Sequence, residues 1–553
     1  LRSWLGHSWF SLAYYTLGAL LETFELFAMA GFLFAAYQVT REGAYTQRMV
    51  QIMAFGGALL AAVAFFHHFA GVTRMYGLYA PQTSSTFFFP FVNSNHAAGY
   101  YAFIFFVLLS LGIAEPSLRL RIFTLAAAAL PFLAVLWTGS RAGIAVLGAG
   151  IIIWRVLNGF SRDTSDSGTA TFLVLMGLLV AIPLMDFFVA PFLQTPAGLD
   201  EDVKWRMWET VWPLIKDHAW TGTGPGAFSS VFPFYYNLPG RVHMDYAENI
   251  VLQFAADYGL VAAAVAGAAI LSLSVQYLRR IRMRAWKAGL LAGIATLVLQ
   301  NLFDFNLEFP GTALPFFAIL GILSAQRYHD TRDITKRTVR PLFLWVPGVL
   351  LTAGAVFAIS LHAVPYSLER EREKVIAWSR QRNWTEMAAA AARAQKRHPA
   401  DATLAAARGY AETFVPKGTP LRWIGLASWL YPRHPYPDLM AARVLAAWKR
   451  PQQALLQYRI ALEKGAPLNL RLVQEIRPLL GKKTAITDVV PPRAWNALVP
   501  LLTEPERLPV CKVLLDSGVP QLPCVQLLMR DALQRRDWMR VERLSAVEEG
   551  LSG

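Results

Sequence analysis

The sequence predicts an all-α fold: a polytopic transmembrane helical bundle followed by a soluble helical-repeat domain. Three observations predict it. Of 553 residues, 55% are hydrophobic and only 16% charged, more apolar sequence than an aqueous core requires. The apolar residues are gathered into runs of about 20, the length of helix that crosses a bilayer. After about residue 365 an Ala-rich amphipathic pattern replaces those runs.

Ten such runs are found, at about 12–37, 49–73, 96–114, 121–138, 141–158, 170–193, 247–276, 286–304, 310–326 and 341–364. Their connecting loops differ in charge. One alternate set, which includes Arg41, Arg48, Arg119, Arg121, Arg279, Arg284 and Arg340, holds sixteen Lys and Arg, and the other holds six. The positive-inside rule places the richer set in the cytoplasm. The chain is thus expected in a membrane that bounds the cytoplasm, with the loop at about 194–246 and everything after Tyr366 outside the cytoplasm. Leu1 also falls outside in this scheme, so one or more upstream spans are expected to precede this numbering. The net charge of +15 is spread in short clusters between apolar runs, which orients a membrane protein and implies no nucleic-acid partner.

Three domains follow: 1–365 in the membrane, 366–467 as tetratricopeptide-like repeats, and 468–553 as a further helical region. The repeat reading rests on His398-Pro399, His434-Pro435 and Pro467, whose prolines stand 36 and 32 residues apart. A helix pair ended by proline at such intervals marks a tetratricopeptide unit; an irregular helical bundle is the competing reading. Cys511 and Cys524 flank a turn, Asp516-Ser-Gly-Val-Pro520. In an oxidising compartment two thiols this close invite a disulfide, and two Cys without a nearby His do not suggest a metal.

The stretch from Lys204 to Gly259 departs most from a generic membrane protein. Trp205, Arg206, Trp208, Trp212, His218 and Trp220 precede Gly222-Thr-Gly224-Pro-Gly226-Ala-Phe228, and Asp245-Tyr-Ala-Glu248-Asn249 opens the next apolar run. Its glycines let backbone approach a ligand, and Arg206 can clamp a phosphate. The plainer alternative is a solvated loop between helices. Two more external segments carry unusual polar groups. Asn93-Ser-Asn95-His96 offers hydrogen bonds to a sugar or phosphate, with helix capping by Asn95 as the alternative. Trp137-Thr-Gly-Ser140-Arg141 is a tight hairpin whose arginine suits an anionic headgroup, with interfacial snorkelling as the alternative. Glu22, Glu25, His67 and His68 are expected to line a cavity or contact partner helices.

Two arginines beside a carboxylate on one membrane face suit a substrate with a pyrophosphate leaving group. Arg141 and Arg206 would neutralise its developing charge without a metal or other cofactor. Glu248 or Asp245 would take the proton from an incoming hydroxyl, with His243 as the next choice of base.

These residues resemble the O-antigen ligase and polymerase superfamily of bacterial envelope glycosyltransferases, over about residues 10–330. The resemblance is carried by Asn93-Ser-Asn95-His96-Ala-Ala-Gly-Tyr, Gly139-Ser-Arg141-Ala-Gly, Arg206-Met-Trp208 with Gly222-Thr-Gly-Pro-Gly-Ala-Phe228, Glu248-Asn249-Ile-Val-Leu-Gln253 with Asp257-Tyr-Gly259, and Asp304-Phe-Asn306. It implies transfer of a glycan from an undecaprenyl-pyrophosphate carrier, on the periplasmic side, to a lipid, glycan or protein acceptor. By the same resemblance Arg141 and Arg206 hold the pyrophosphate, while Asn93, Asn95, His96, Trp208, Asn249, Asp304 and Asn306 surround the substrate. Ligases of this kind commonly have His where this chain has Glu248, which bears on the choice of acceptor more than on glycosyl transfer itself. The repeat-like tail favours a polymerase or a protein-modifying enzyme, and would bind an envelope protein or polysaccharide. A protein O-oligosaccharyltransferase, a transporter of the same lipid and a non-catalytic scaffold are the alternatives.

Overall fold

The computed structural model describes residues 13–41, 45–75, 77, 88–159, 199–236, 244–280, 283–331, 367–481, 485–516 and 521–552. The expected spans at 170–193 and 341–364, and His243, lie outside them. Among the described residues the chain is all-helical, with an isolated bridge pairing Phe88 and Phe91. It divides into two compact units, one of 10–229 and 244–364, the other of 1–9, 230–243 and 365–553.

The first unit holds the membrane helices. In chain order its helices are α1 (Thr16–Thr40), α2 (Thr46–Phe69), α3 (Ser94–Ala114), α4 (Leu118–Trp137) and α5 (Arg141–Gly159), then α6 (Leu199–Asp217), the first two residues of α7 (Phe228–Tyr235), α8 (Ile250–Tyr258), α9 (Leu260–Arg280), α10 (Ala285–Gln300) and α11 (Pro310–Thr331). Six of the described helices are long and apolar enough to cross a membrane, and Ala285–Gln300 and Pro310–Gln326 are shorter apolar helices. This is a multi-pass membrane protein.

Helix α3 is the axis of the bundle, with 83% of its apolar window buried, whereas none of the window on α9 is. Small residues let the neighbours close on it, as is usual between membrane helices. A Cβ on Gly57 of α2 would stand 2.7 Å from Ile104, one on Gly143 of α5 would stand 2.4 Å from Ala98, and one on Gly289 of α10 would stand 2.7 Å from Ser110. The contacts leave no room for a methyl group. The expected span at 247–276 proves to be two helices. Gly259 (φ +89) separates α8 from α9, and a Cβ there would press on the Ala219 carbonyl at 2.7 Å. Hydropathy runs through this break because both pieces are apolar.

The second unit begins its long helical run with α12 (Leu368–Arg380), α13 (Trp384–Arg397), α14 (Ala402–Glu412), α15 (Pro420–Leu430), α16 (Pro435–Ala447) and α17 (Pro451–Glu463). Each packs on the next. Local sequence sets the boundaries: the side chains of Asn383, Asp401 and His434 cap α13, α14 and α16, and proline stands in the first turn of α15, α16 and α17. Arg382, Lys417 and Lys449 adopt left-handed backbone between the members of successive pairs. Buried carboxylates join helices: Glu371 pairs with Arg397 and has His398 Nε2 at 3.1 Å, and Asp401 pairs with Arg372. Farther on, Cys511 and Cys524 form a disulfide inside an apolar cluster with Val510, Leu514 and Leu528.

Candidate functional site

The polar motifs of the membrane unit meet where α3, α5, α8 and α11 begin and α10 ends. Asn249 caps α8, its Oδ1 accepting from the backbone N–H groups of Val251 and Leu252 at 2.9 and 3.1 Å. Its Nδ2 donates to the Leu302 carbonyl at 2.8 Å, and the Ile250 N–H donates to the Asn301 carbonyl at 2.9 Å. One asparagine thus starts a helix and ties it to the exit of α10.

Glu248 precedes this cap in a left-handed conformation, φ 49°. For a residue with a Cβ this costs about 1–2 kcal/mol and persists only where surroundings impose it. Here they do. The Ala247 N–H donates to Gln253 Oε1 at 2.8 Å, its carbonyl accepts from Trp208 Nε1 at 3.0 Å, and Gln253 Nε2 donates to the buried Asp257 at 2.7 Å. Glu248 is half-buried between two pinned residues.

His96 Nε2 lies 3.0 Å from Asp304 Oδ1, both side chains buried, and Asp304 also accepts from the Phe305 N–H. Phe305 links two motifs: its ring lies edge-on to His96 (centroids 4.8 Å) and stacks on Tyr246 (4.6 Å, 22°). The hairpin before α5 docks on the same place. Ser140 Oγ donates to Asn95 Oδ1 at 2.7 Å and accepts from the Gly143 N–H, while Gln300 Nε2 reaches the Asn95 carbonyl. The cap of α3 is Asn93, whose Oδ1 accepts from the Asn95 N–H at 2.8 Å. Asn95 sits two residues further on, within the first turn, and holds the Ser140 hairpin instead.

Three of the charged candidates are accessible. Arg141 opens α5, Arg206 lies on α6 two residues before Trp208, and Asp245 precedes Tyr246; all three are exposed. Asn306 is fully buried, and a Cβ on Gly99 would stand 2.1 Å from its Nδ2. The arrangement therefore has an exposed set (Arg141, Arg206, Asp245), half-buried Glu248, Asn95 and Asn249, and a buried polar frame (His96, Asp304, Asn306).

The glycines after His218 pack against the chain itself. Gly222 (φ +64) lies where a Cβ would be 2.1 Å from the Asp257 carbonyl oxygen, which accepts from the Gly224 N–H at 3.0 Å. Gly222 thus approaches the C-terminal turn of α8, whereas a Cβ on Gly224 or Gly226 would meet Ala13 or Gly18.

Sequence reasoning named Glu22 and Glu25 but missed Glu308, which stands with them on an acidic side of the site. Burial, then the Glu25 carboxylate, pushes Glu308 up to about 7. Burial likewise raises the Tyr246 hydroxyl, with Glu22, Glu308, Asp245 and Glu25 adding to it in that order. Glu22 and Glu25 on α1 thus share the surroundings of Tyr246. No linear spacing relates residue 22 to residue 308; their nearness comes from α1 packing on α11.

Among proteins of known family, residues 126–267 match the family model described as O-antigen ligase. No curated protein and no solved structure matches the chain. The matched stretch takes in Arg141, Arg206, Trp208, Asp245, Glu248 and Asn249, and the side chains that frame them from outside it, Asn95, His96 and Asp304, belong to this chain's own bundle.

Proposed function

We propose that this chain is a membrane glycosyltransferase that moves a glycan from an undecaprenyl-pyrophosphate carrier to an acceptor at the periplasmic surface. The O-antigen ligase match over residues 126–267 supports the reaction class. The single observation that carries the site is the left-handed Glu248, fixed between the twice-bonded Ala247 and the helix-capping Asn249.

In this reaction the acceptor hydroxyl attacks the anomeric carbon, a glycosidic bond forms, and the bond from that carbon to the carrier's phosphate oxygen breaks. Glu248 takes the hydroxyl proton. The electron pair leaves with the pyrophosphate, whose growing charge Arg141 and Arg206 offset through charge-assisted hydrogen bonds. Protein groups perform each of these roles, so the proposal needs no metal. The helix ends support the periplasmic placement: Arg41, Arg48, Arg119, Arg121, Arg279 and Arg284 fall at helix ends other than those gathered around Asn95 and Asn249.

The tail bears on the acceptor. Helices that begin at Leu368, Ala402 and Pro435 recur after 34 and 33 residues, which supports a tetratricopeptide-like reading of 366–467. Such a domain favours a polymerase or a protein O-oligosaccharyltransferase. The test is transfer in membranes by Arg141→Ala and Arg206→Ala. Both variants should be present at normal abundance with product lost; full activity in both would remove the proposal.

A further inference from the structure

The second unit contains a groove of about 790 Å³ between α15, α16 and α17. The charged side chains that line it are Asp438 and Lys464, and they satisfy each other. Lys464 Nζ donates to Asp438 Oδ2 at 2.6 Å and to Ser428 Oγ at 3.2 Å, and Ser428 donates to Asp438 Oδ1 at 3.3 Å. Both carboxylate oxygens are used. The floor therefore offers no uncompensated charge to a phosphate, a carboxylate or a basic peptide.

What remains for a ligand is uncharged and mostly apolar, with Leu421, Ile424, Leu445 and Leu456 among the lining. Trp429, 44% exposed, presents an aromatic ring at the rim, and Gln453 and Gln457 on α17 present amides that both donate and accept. An aromatic face beside amides suits a molecule with apolar C–H faces and many hydroxyl groups. The rim also has a partner within this unit: the Phe234 ring packs on Trp429 with centroids 5.1 Å apart. Phe234 lies, in sequence, between the Gly222–Gly226 stretch and Asp245.

We infer that the groove between α15 and α17 binds an uncharged oligosaccharide of the class that the membrane unit transfers. This rests on the glycosyltransferase reading for its biological meaning. The binding itself is measurable without transfer.

The experiment uses the full chain in lipid nanodiscs, without carrier lipid, in equilibrium dialysis. The probe is the neutral fraction of the oligosaccharides that mild acid releases from the host's own lipid-linked pool; the acidic fraction and an uncharged peptide serve as competitors. Retention of the neutral fraction, unaffected by salt and weakened about tenfold or more by Gln453→Ala combined with Gln457→Ala, is the expected result. Trp429→Ala should weaken it likewise, and Arg141→Ala should leave it unchanged. The melting temperature of each variant separates loss of a contact from loss of fold. No retention, retention insensitive to the glutamine pair, or displacement by the acidic fraction or the peptide would overturn the inference. Product lost in Arg141→Ala with retention intact would leave both proposals standing, whereas transfer intact in a chain that retains no sugar would sink this one alone.

Discussion

Trp208 Nε1 donates to the Ala247 carbonyl at 3.0 Å, across 39 residues of sequence. That bond joins the helix carrying Arg206 to the residue before Glu248, and so couples the proposed leaving-group clamp to the proposed base. A contact of this kind contributes about 1 kcal/mol. Trp208→Phe keeps most of the ring and removes the donor. Transfer should fall about fivefold to tenfold with abundance unchanged, as read from the rate of glycan joining in membrane vesicles.

The left-handed backbone at Glu248 separates stability from activity. Glu248→Gly removes a strain of about 1 kcal/mol or more, so its melting temperature in detergent should rise or hold. Its transfer rate should fall by about a hundredfold or more, the usual contribution of a positioned base. Glu248→Gln should lose the same activity without the gain in stability.

Gly222 tests the packing role of the glycine-rich stretch. With φ +64 and the Asp257 carbonyl 2.1 Å from a Cβ, Gly222→Ala combines a clash with backbone strain, and should cost about 2 kcal/mol or more. The expected outcome is lower abundance and a lower melting temperature. A variant of normal stability that failed only in substrate binding would instead restore the ligand-facing reading of these glycines.

Glu308 gives stability a pH dependence. Its carboxyl is raised from an ordinary 4.5 to about 7, by burial and then by Glu25, so the folded protein holds a proton that the unfolded chain releases. The contribution is fully present below pH 4.5 and is lost as the pH rises through 7. Thermal unfolding of Glu308→Gln should show a flatter dependence than the parent chain between these values.

Much of the architecture was legible because one physical signal dominates it. Apolar runs of spanning length leave little choice of structure in a bilayer, and eight of the ten runs fall on described helices. Polar residues at the ends of those runs were equally visible, which is why Asn93, His96, Arg141 and Glu248 drew attention. Which of two nearby asparagines caps α3 was not visible. Asn93 and Asn95 are equivalent as cap formers, and only the Ser140 hairpin, 45 residues away, distinguishes them. The break at Gly259 was hidden by apolar sequence on both sides. Glu22 and Glu25 were visible as acids inside a span, but nothing in the sequence tied them to Glu308 or to Tyr246 until helix packing set them together.

The most direct measurement is the stoichiometry of transfer by purified, reconstituted protein given undecaprenyl-pyrophosphate-linked glycan and an acceptor. Chemistry at Glu248, Arg141 and Arg206 predicts one undecaprenyl pyrophosphate released for each new glycosidic bond, and neither in Glu248→Gln. Movement of intact lipid-linked glycan across the membrane with no bond formed and no pyrophosphate released would contradict it.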